Sequence, residues 1–305
     1  MSLRFSTVGL GGNNFGRRVD LDGTRAVVDA ALGAGVYFFD TADVYGARAG
    51  ASEELLGEVL EGRRDQVVLA TKFGFDLSER DGDGGPDAPR GSREYVRWAV
   101  DGSLRRLRTD FVDLLQYHKP DGVTPIGETL TAMAELVDEG KVGALGVSQH
   151  SAEQVREAHD AAGDRLVTVQ DEYSLLERGI EADIGPECDR LGLGFLPFFP
   201  LASGLLTGKY RRGEDPPEGT RLHERGQVAD DATFGRLEAL ASFADERGID
   251  PIDVAIGWLA ARRIVVSVIA GVTKPEQVER NARAGAWKPS AEDDAELDRI
   301  FPPGR

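Results

Sequence analysis

Four polar residues lie at or just beyond the ends of three apolar segments, and together they suit proton-coupled chemistry at a carbonyl group. Asp40 ends VYFFD, Lys72 ends QVVLATK and His118 ends FVDLLQYH, while Tyr45 follows Asp40 in the next loop. Reducing a carbonyl requires a hydride for the carbon and a proton for the oxygen. Because a tyrosine titrates only near pH ~10, we expect a neighbouring ammonium group to lower its pKa so that it can donate that proton.

The carboxylate and the imidazole complete this chemistry. Asp40 would keep Lys72 charged and oriented, and His118 could donate a hydrogen bond that aligns the substrate oxygen. Taken singly, each residue has an ordinary structural explanation, since an aspartate at a strand end is usually a turn former or a helix cap. The occurrence of all four at consecutive strand ends favours a catalytic site.

The segments that must position these residues alternate with helical patterns along the whole chain. Alternation of this kind predicts a parallel sheet covered by helices. Eight such units within 305 residues predict an α/β protein with a closed (β/α)8 TIM barrel, formed by a single domain over 1–305. The carboxyl ends of its strands would meet at one mouth. The predicted strands are 7–12, 36–40, 66–72, 111–118, 141–148, 165–170, 193–199 and 264–271.

Helix start signals and irregular loops agree with this organisation. Ser52 and Ser151 are predicted helix N-caps because acidic residues follow them, and Asp250-Pro251 is typical of an N-cap followed by the first helical position. Two stretches, 79–91 and 211–230, are rich in Gly, Pro and charged residues. Both follow predicted strands, so we expect both to lie over the mouth of the barrel.

The composition restricts the possible partners. With 53 acidic and 36 basic residues the formal net charge is −17, which disfavours nucleic acid and anionic membranes. The only cysteine, Cys188, permits no disulfide framework, and the longest apolar stretch, from Gly194, is too short for a membrane span. We therefore expect a soluble, cytoplasmic protein. No H-x-H or H-x-x-x-H pair occurs among the four histidines, so a metal-dependent hydrolase is a weaker alternative and no metal ligand is predicted.

Short motifs between about residues 7 and 285 resemble those of the aldo-keto reductase superfamily, and they occur in the same order. The resemblance implies a barrel that reduces carbonyls with NADP(H), in which Tyr45 donates the proton, Lys72 and Asp40 tune it, and His118 orients the substrate. The motifs are Asp40-Thr41-Ala42 with Tyr45-Gly46, Thr71-Lys72, His118-Lys119-Pro120, Gly146-Val147-Ser148, Gln170 with Tyr173-Ser174-Leu175-Leu176, Pro200-Leu201-Ala202, Gly204 to Tyr210, and Gly271 with Pro275-Glu276-Gln277 and Asn281.

The chain has no complete G-x-G-x-x-G fingerprint, so the barrel itself must hold the cofactor. The residues that would do so are implied by the resemblance. Lys274 precedes a helix that begins near Pro275, and the free N–H groups of a helix start attract anions; the resemblance implies an adenosine 2′-phosphate there. It further implies Ser148, Gln149 and Gln170 for the nicotinamide carboxamide, Phe198 for stacking on its ring, Leu201, Ser203, Leu205 and Lys209 for the pyrophosphate, Gln277 and Asn281 toward the adenine, and Gly12, Asn13, Asp40, Gly271 and Thr273 as further contacts.

Several alternatives remain open at this point. Thr273 stands where a second basic residue is often found in the superfamily, so NAD(H) is possible beside NADP(H). The same resemblance includes potassium-channel β subunits, so a cofactor-sensing regulatory subunit is the competing hypothesis. The substrate would be a small carbonyl compound or, in the oxidative direction, a sugar or alcohol, and the sequence indicates neither which one nor the oligomeric state.

Overall fold

Eight strands, one from each predicted segment, pair in parallel around one axis. The computed structural model describes residues 3–80, 82, 84–218, 221–226 and 229–303. Within these ranges the strand order is β7-β6-β5-β4-β3-β2-β1-β8, which confirms the predicted (β/α)8 barrel. The strands are β1 (Val8–Gly11), β2 (Phe38–Asp40), β3 (Val68–Phe73), β4 (Val112–Tyr117), β5 (Val142–Ser148), β6 (Leu166–Glu172), β7 (Gly194–Phe198) and β8 (Val268–Gly271).

The barrel closes through its first and last strands. β1 pairs with β2 on one side and with β8 on the other, where Val8 lies opposite Val268 and Gly11 opposite Gly271. Between β7 and the segment before β8, Phe195 accepts a hydrogen bond from the Val266 N–H at 3.0 Å. These pairs bring the carboxyl ends of all eight strands to one mouth.

Eleven helices occur among the described residues, and most of them lie on the outside of the sheet. Ser151 caps its helix in a capping box with Gln154, and Asp250 does the same with Asp253, so both predicted caps are confirmed. The helices are α1 (Leu21–Gly33), α2 (Ala51–Val59), α3 (Arg93–Arg106), α4 (Ile126–Asp138), α5 (Ala152–Ala162), α6 (Ile184–Leu191), α7 (Arg221–Arg225), α8 (Asp231–Glu246), α9 (Pro251–Ala260), α10 (Pro275–Ala284) and α11 (Ala291–Ile300).

The predicted N-cap at Ser52 is wrong. Helix α2 begins at Ala51, and the capping position is Gly50 in a left-handed conformation, with a φ of 80°. The Ser52 hydroxyl lies inside the protein, where it donates to the Gly12 carbonyl at 2.8 Å and contacts the Thr41 hydroxyl at 2.8 Å. A tertiary contact between the first two loops of the mouth therefore uses the side chain that a local pattern assigned to capping.

The interior of the barrel divides into an apolar floor and a polar upper layer. Alternate residues of a strand face the same side, so the polar residues lie two positions beyond the apolar ones toward the mouth. The floor contains Phe38, Ala70, Leu114, Ala144, Leu196 and Ile269. The layer above it contains Asp40, Lys72, Gln116 and Gln170, all with at most 2 % of their surface exposed.

The two irregular loops were predicted to lie over the mouth, and the second of them contacts the loop after β1. Glu224 of α7 forms an ion pair with Arg18 of that loop, so the second loop reaches past the end of β8. Residues 81, 83, 219, 220, 227 and 228 of these loops lie outside the described residues. Among the helices described, none has the length and apolar character needed to cross a membrane.

Candidate active site

A buried lysine is the centre of the polar layer. Lys72 has no exposed surface, and its Nζ donates to Asp40 Oδ2 at 2.5 Å, to the Thr41 carbonyl at 3.0 Å and to the Tyr45 hydroxyl at 3.3 Å. Three acceptors match the three protons of an ammonium group. The structure therefore brings Asp40, Tyr45 and Lys72 together at the ends of β2 and β3.

Two glutamine side chains hold the other oxygen of the carboxylate. Asp40 Oδ1 accepts from Gln116 Nε2 at 2.9 Å and from Gln170 Nε2 at 3.2 Å, and Gln170 Nε2 also lies 3.0 Å from Gln116 Oε1. Gln170 was predicted to contact the nicotinamide carboxamide; here its amide nitrogen binds the carboxylate network. Gln116 was missed, although it stands two residues before His118 and so on the same face of β4.

Aromatic contacts place His118 beside the phenol. The rings of Tyr45 and His118 meet edge to face with centroids 5.7 Å apart, and Phe75 packs on the other side of the imidazole at 4.6 Å. His118 is buried, and its Nδ1 atom has no hydrogen-bond partner among the described residues. All four predicted catalytic residues thus lie at one point of the mouth.

Burial and charge together set the protonation states. Burial alone would lower the pKa of Lys72, but Asp40 and Tyr45 together outweigh it and the net shift is upward, so the amine stays charged. Burial raises the pKa of Tyr45, and the Lys72 charge opposes this without cancelling it. Burial, followed by the Lys72 charge, brings the pKa of His118 well below its usual value, so the imidazole is neutral near pH 7. Lys72 thus acts on the Tyr45 pKa in the predicted direction, but burial outweighs it, so the expected acidification is not reached.

The rim next to β5 and β6 carries side chains that a ligand could satisfy. The Ser148 hydroxyl at the end of β5 is buried without a partner among the described residues. Gln149 adopts a left-handed backbone, with a φ of 57°, and its amide nitrogen donates to the His118 carbonyl at 3.3 Å. Gln149 thus contacts the backbone of His118, and Ser148 lies opposite Gln170 on the neighbouring strand.

The loop after β7 turns through three successive left-handed residues. Ala202, Ser203 and Gly204 have φ angles of 45°, 58° and 96°. The Ala202 and Gly204 N–H groups donate to the Phe199 and Leu201 carbonyls at 2.8 Å, so the turn is held by its own backbone. The residues predicted for the pyrophosphate, which are Leu201, Ser203, Leu205 and Lys209, lie along this turn. The partly buried Phe198, which was predicted to stack on nicotinamide, precedes it and packs on Phe199.

At the end of β8 the backbone of Gly271 lies close to Asn13, and helix α10 begins at Pro275. A side chain at Gly271 would come within 2.9 Å of Asn13 Oδ1, an atom that is itself buried without a partner among the described residues. The Gln277 side-chain oxygen accepts from the Thr273 N–H at 2.7 Å. Exposed Lys274 is the N-cap of α10, and buried Asn281 lies on the same helix, while Gly12 lies beside Asn13 after β1.

Comparison with known protein families matches residues 7–301 to the aldo/keto reductase family. The chain belongs to this family. A probable voltage-gated potassium channel subunit beta of Oryza sativa subsp. japonica is 36% identical over 286 residues, which cover 88% of this chain and 84% of the relative. The L-glyceraldehyde 3-phosphate reductase of Escherichia coli O157:H7 is 33% identical over 299 residues, covering 92% and 84%. The probable aldo-keto reductase 1 of Glycine max is 36% identical over 306 residues, covering 99% and 86%.

As an aldo/keto reductase family member, the protein is an oxidoreductase of the kind that acts on carbonyl groups, and a small-molecule substrate suits it. In the described part of the chain no group of three or more His, Cys, Asp or Glu side chains is arranged to hold a metal ion.

Proposed function

We propose that this protein is an NADP(H)-dependent reductase of aldehydes or ketones, which can also oxidise a sugar or an alcohol in the reverse direction. The observation that carries the proposal is the contact of the Tyr45 hydroxyl with Lys72 Nζ at 3.3 Å, beside the neutral imidazole of His118. This arrangement offers a protonated phenol, a fixed positive charge and a hydrogen-bond donor at one point of the mouth.

In the proposed mechanism Tyr45 donates its proton to the carbonyl oxygen of the substrate. The raised pKa keeps the phenol protonated before the reaction, and the Lys72 ammonium stabilises the phenolate that remains afterwards. Asp40 holds Lys72 charged, while Gln116 and Gln170 fix the carboxylate. His118 donates from its ring N–H and aligns the substrate oxygen, which a neutral imidazole can do.

The cofactor part of the proposal rests on residues that follow β1, β5, β7 and β8. Bound NADP(H) would supply the hydride. The Ser148 hydroxyl and Asn13 Oδ1, which have no partner among the described residues, offer hydrogen bonds to its polar groups. Exposed Lys209, whose Nζ lies beside Gly204 of the left-handed turn, offers a charge to its pyrophosphate. Lys274 offers a charge to a 2′-phosphate. Because the Thr273 N–H is already bound to Gln277, Lys274 carries most of the discrimination against NAD(H), which remains possible as a second cofactor.

The direct test measures NADPH oxidation by the purified protein with a nitrobenzaldehyde as acceptor. We expect turnover in the wild type and a loss of roughly 10³-fold in Tyr45→Phe, because a positioned proton donor contributes about 10²–10⁴-fold. NADPH binding, followed by quenching of protein fluorescence, should be retained in the variant. Wild-type turnover in Tyr45→Phe would contradict the assigned proton donor.

A regulatory role is the second candidate, because two similar proteins, from Oryza sativa subsp. japonica and from Arabidopsis thaliana, are probable voltage-gated potassium channel β subunits. In that case the protein would bind the cofactor but turn over slowly, and it would associate with another protein. Cofactor binding together with negligible turnover on a broad panel of aldehydes and sugars would favour this candidate.

We also propose a cytoplasmic location, in which Cys188 would stay reduced.

A further inference from the structure

A second pair of opposite charges, formed by Glu53 and Arg106, lies against β3, the strand that carries Lys72. Glu53 of α2 has no exposed surface. Its Oε1 accepts from the Thr71 hydroxyl at 2.5 Å, and its Oε2 accepts from Arg106 Nε at 2.7 Å. Thr71 is the residue before Lys72 on β3, so this pair supports the strand that carries the lysine.

The loop that carries Tyr45 is built against the same pair. A side chain at Gly50 would meet the Arg106 Cδ atom at 2.4 Å, so the arginine passes directly under the loop. The Gly50 N–H donates to the Asp43 carbonyl at 2.6 Å, and the Ser52 N–H donates to the Tyr45 carbonyl at 3.1 Å. The backbone of the proton-donor loop is therefore positioned by the start of α2.

Asp43 is the one member of this region without an evident role. Its side chain has no exposed surface, and neither carboxyl oxygen binds a side chain among the described residues; the backbone N–H of the neighbouring Val44 is the one hydrogen-bonding group that acts on it. Its backbone N–H donates to the Lys72 carbonyl at 3.0 Å, so the residue is fixed next to the catalytic lysine. An ionised carboxylate without an ion-pair partner is strongly unfavourable in such a place.

The charges around Asp43 balance only if it is neutral. The groups that act on it are Glu53 on α2, Arg106 on α3 and Lys72 on β3; Tyr45 lies on its own loop and Asp40 at the end of β2. Asp40 is matched by Lys72, and Glu53 by Arg106. Burial, and then the Glu53 charge, raise the pKa of Asp43 well above its usual value, and Arg106, the Val44 N–H and Lys72 oppose this only in part.

We propose that Asp43 is a positioning residue that works as a neutral carboxylic acid beside the Glu53–Arg106 ion pair. Its consequence for turnover rests on the proposed reductase function. If Asp43 lost its proton, an unbalanced negative charge would lie beside Tyr45 and make the phenolate harder to form. Turnover should therefore fall as the pH rises through the ionisation of Asp43.

The protonation of Asp43 can be tested without any turnover. Infrared difference spectra between neutral and alkaline pH should show the loss of a protonated carboxyl band in the wild type. Aspartate labelled with ¹³C at the side-chain carboxyl should shift this band, which requires no variant to fold. Asp43→Asn should remove the band, whereas the exposed control Asp138→Asn should keep it. A wild-type spectrum without a protonated carboxyl at neutral pH would overturn the proposal.

The effect on catalysis is tested by the pH dependence of kcat with NADPH and a nitrobenzaldehyde. In Asp43→Asn we expect the fall of kcat at alkaline pH to occur about one pH unit or more higher than in the wild type. Glu53→Gln should move the decline to lower pH, because it removes the charge that keeps the proton on Asp43, and Asp43→Asn/Glu53→Gln should restore the higher value. Alkaline declines that coincide in all four proteins would contradict the positioning role. A wild type without turnover would instead count against the reductase function.

Discussion

The two sides of the barrel mouth differ in how completely their polar groups are satisfied. At the ends of β2, β3 and β4, Lys72 and Asp40 bind side chains and carbonyls of the protein itself. Around β1 and β5, the Asn13 Oδ1 atom and the Ser148 hydroxyl are buried without partners among the described residues. Buried polar groups are normally paired. We infer that the Lys72–Asp40 network of the first side is complete before any ligand arrives, whereas the second side, like His118 Nδ1 at the end of β4, is completed by one.

The largest expected effect tests the self-sufficiency of the first side. Lys72→Met leaves the Asp40 carboxylate buried with its partner charge removed, which typically lowers the free energy of unfolding by about 3–5 kcal/mol. Urea unfolding would measure this, and Asp40→Asn/Lys72→Met should recover part of the loss. The matched control is Arg165→Met, which removes a partner of Asp138 in a pair whose side chains are 45% and 64% exposed. We expect that control to lose about 1 kcal/mol or less, and equal losses would contradict the comparison.

A second prediction concerns His150, which lies between the two sides. Its Nδ1 lies 2.7 Å from the Ser148 carbonyl, its ring packs on Tyr117 at 5.3 Å, and burial lowers its pKa to about 4. Because an unfolded histidine titrates near ~6.5, the unfolded chain binds more protons than the folded protein between these values. The stability due to neutral His150 is therefore full above pH ~6.5 and lost as the pH falls toward 4, by about 2 kcal/mol at pH 5.

Urea unfolding at pH 7 and pH 5 checks this sign. His150→Phe keeps an aromatic ring against Tyr117 and should lose less stability between the two pH values than the wild type. His118 has its pKa shifted in the same direction, so the variant should keep part of the dependence. An unchanged pH dependence in His150→Phe would show that this histidine does not contribute.

The third prediction concerns the exposed end of the second side. Lys274→Met should weaken NADPH binding by about tenfold, since a charge-assisted contact to a phosphate is worth roughly 1.5 kcal/mol. NADH binding should change little, because NADH lacks the 2′-phosphate. Fluorescence titration with both cofactors makes the comparison, and an equal weakening for both would place Lys274 away from the 2′-phosphate.

The smallest expected effect bears most directly on the difference between the two sides. Ser148→Ala removes a buried hydroxyl that has no partner in the described protein, so the free energy of unfolding should change by about 0.5 kcal/mol or less. NADPH affinity should fall by about fivefold, because a hydrogen bond to the ligand is lost. The opposite result, lower stability with unchanged affinity, would mean that the second side is also complete without a ligand.

Much of the fold was predictable from local sequence. The alternation of apolar runs and helical patterns gave all eight strands, and Ser151 and Asp250 cap their helices as expected. These features depend on neighbouring residues, where hydrogen bonds and hydrophobic periodicity act over a few positions. The convergence of Asp40, Lys72 and His118 also followed, because parallel strands that end in polar residues present them at one mouth.

Partners that are distant in the chain were decided only by the tertiary structure. Gln170 and Asp40 are 130 residues apart, and Gln116 and Asp40 are 76 apart, so no local pattern could pair them. The same holds for Ser52, which bonds to Gly12 rather than capping its helix. The upward shift of the Tyr45 pKa depends on burial, which the sequence does not specify at a single position. Residue types and strand order thus determined which groups meet at the mouth, whereas packing determined which atoms bind each other and which carry charge.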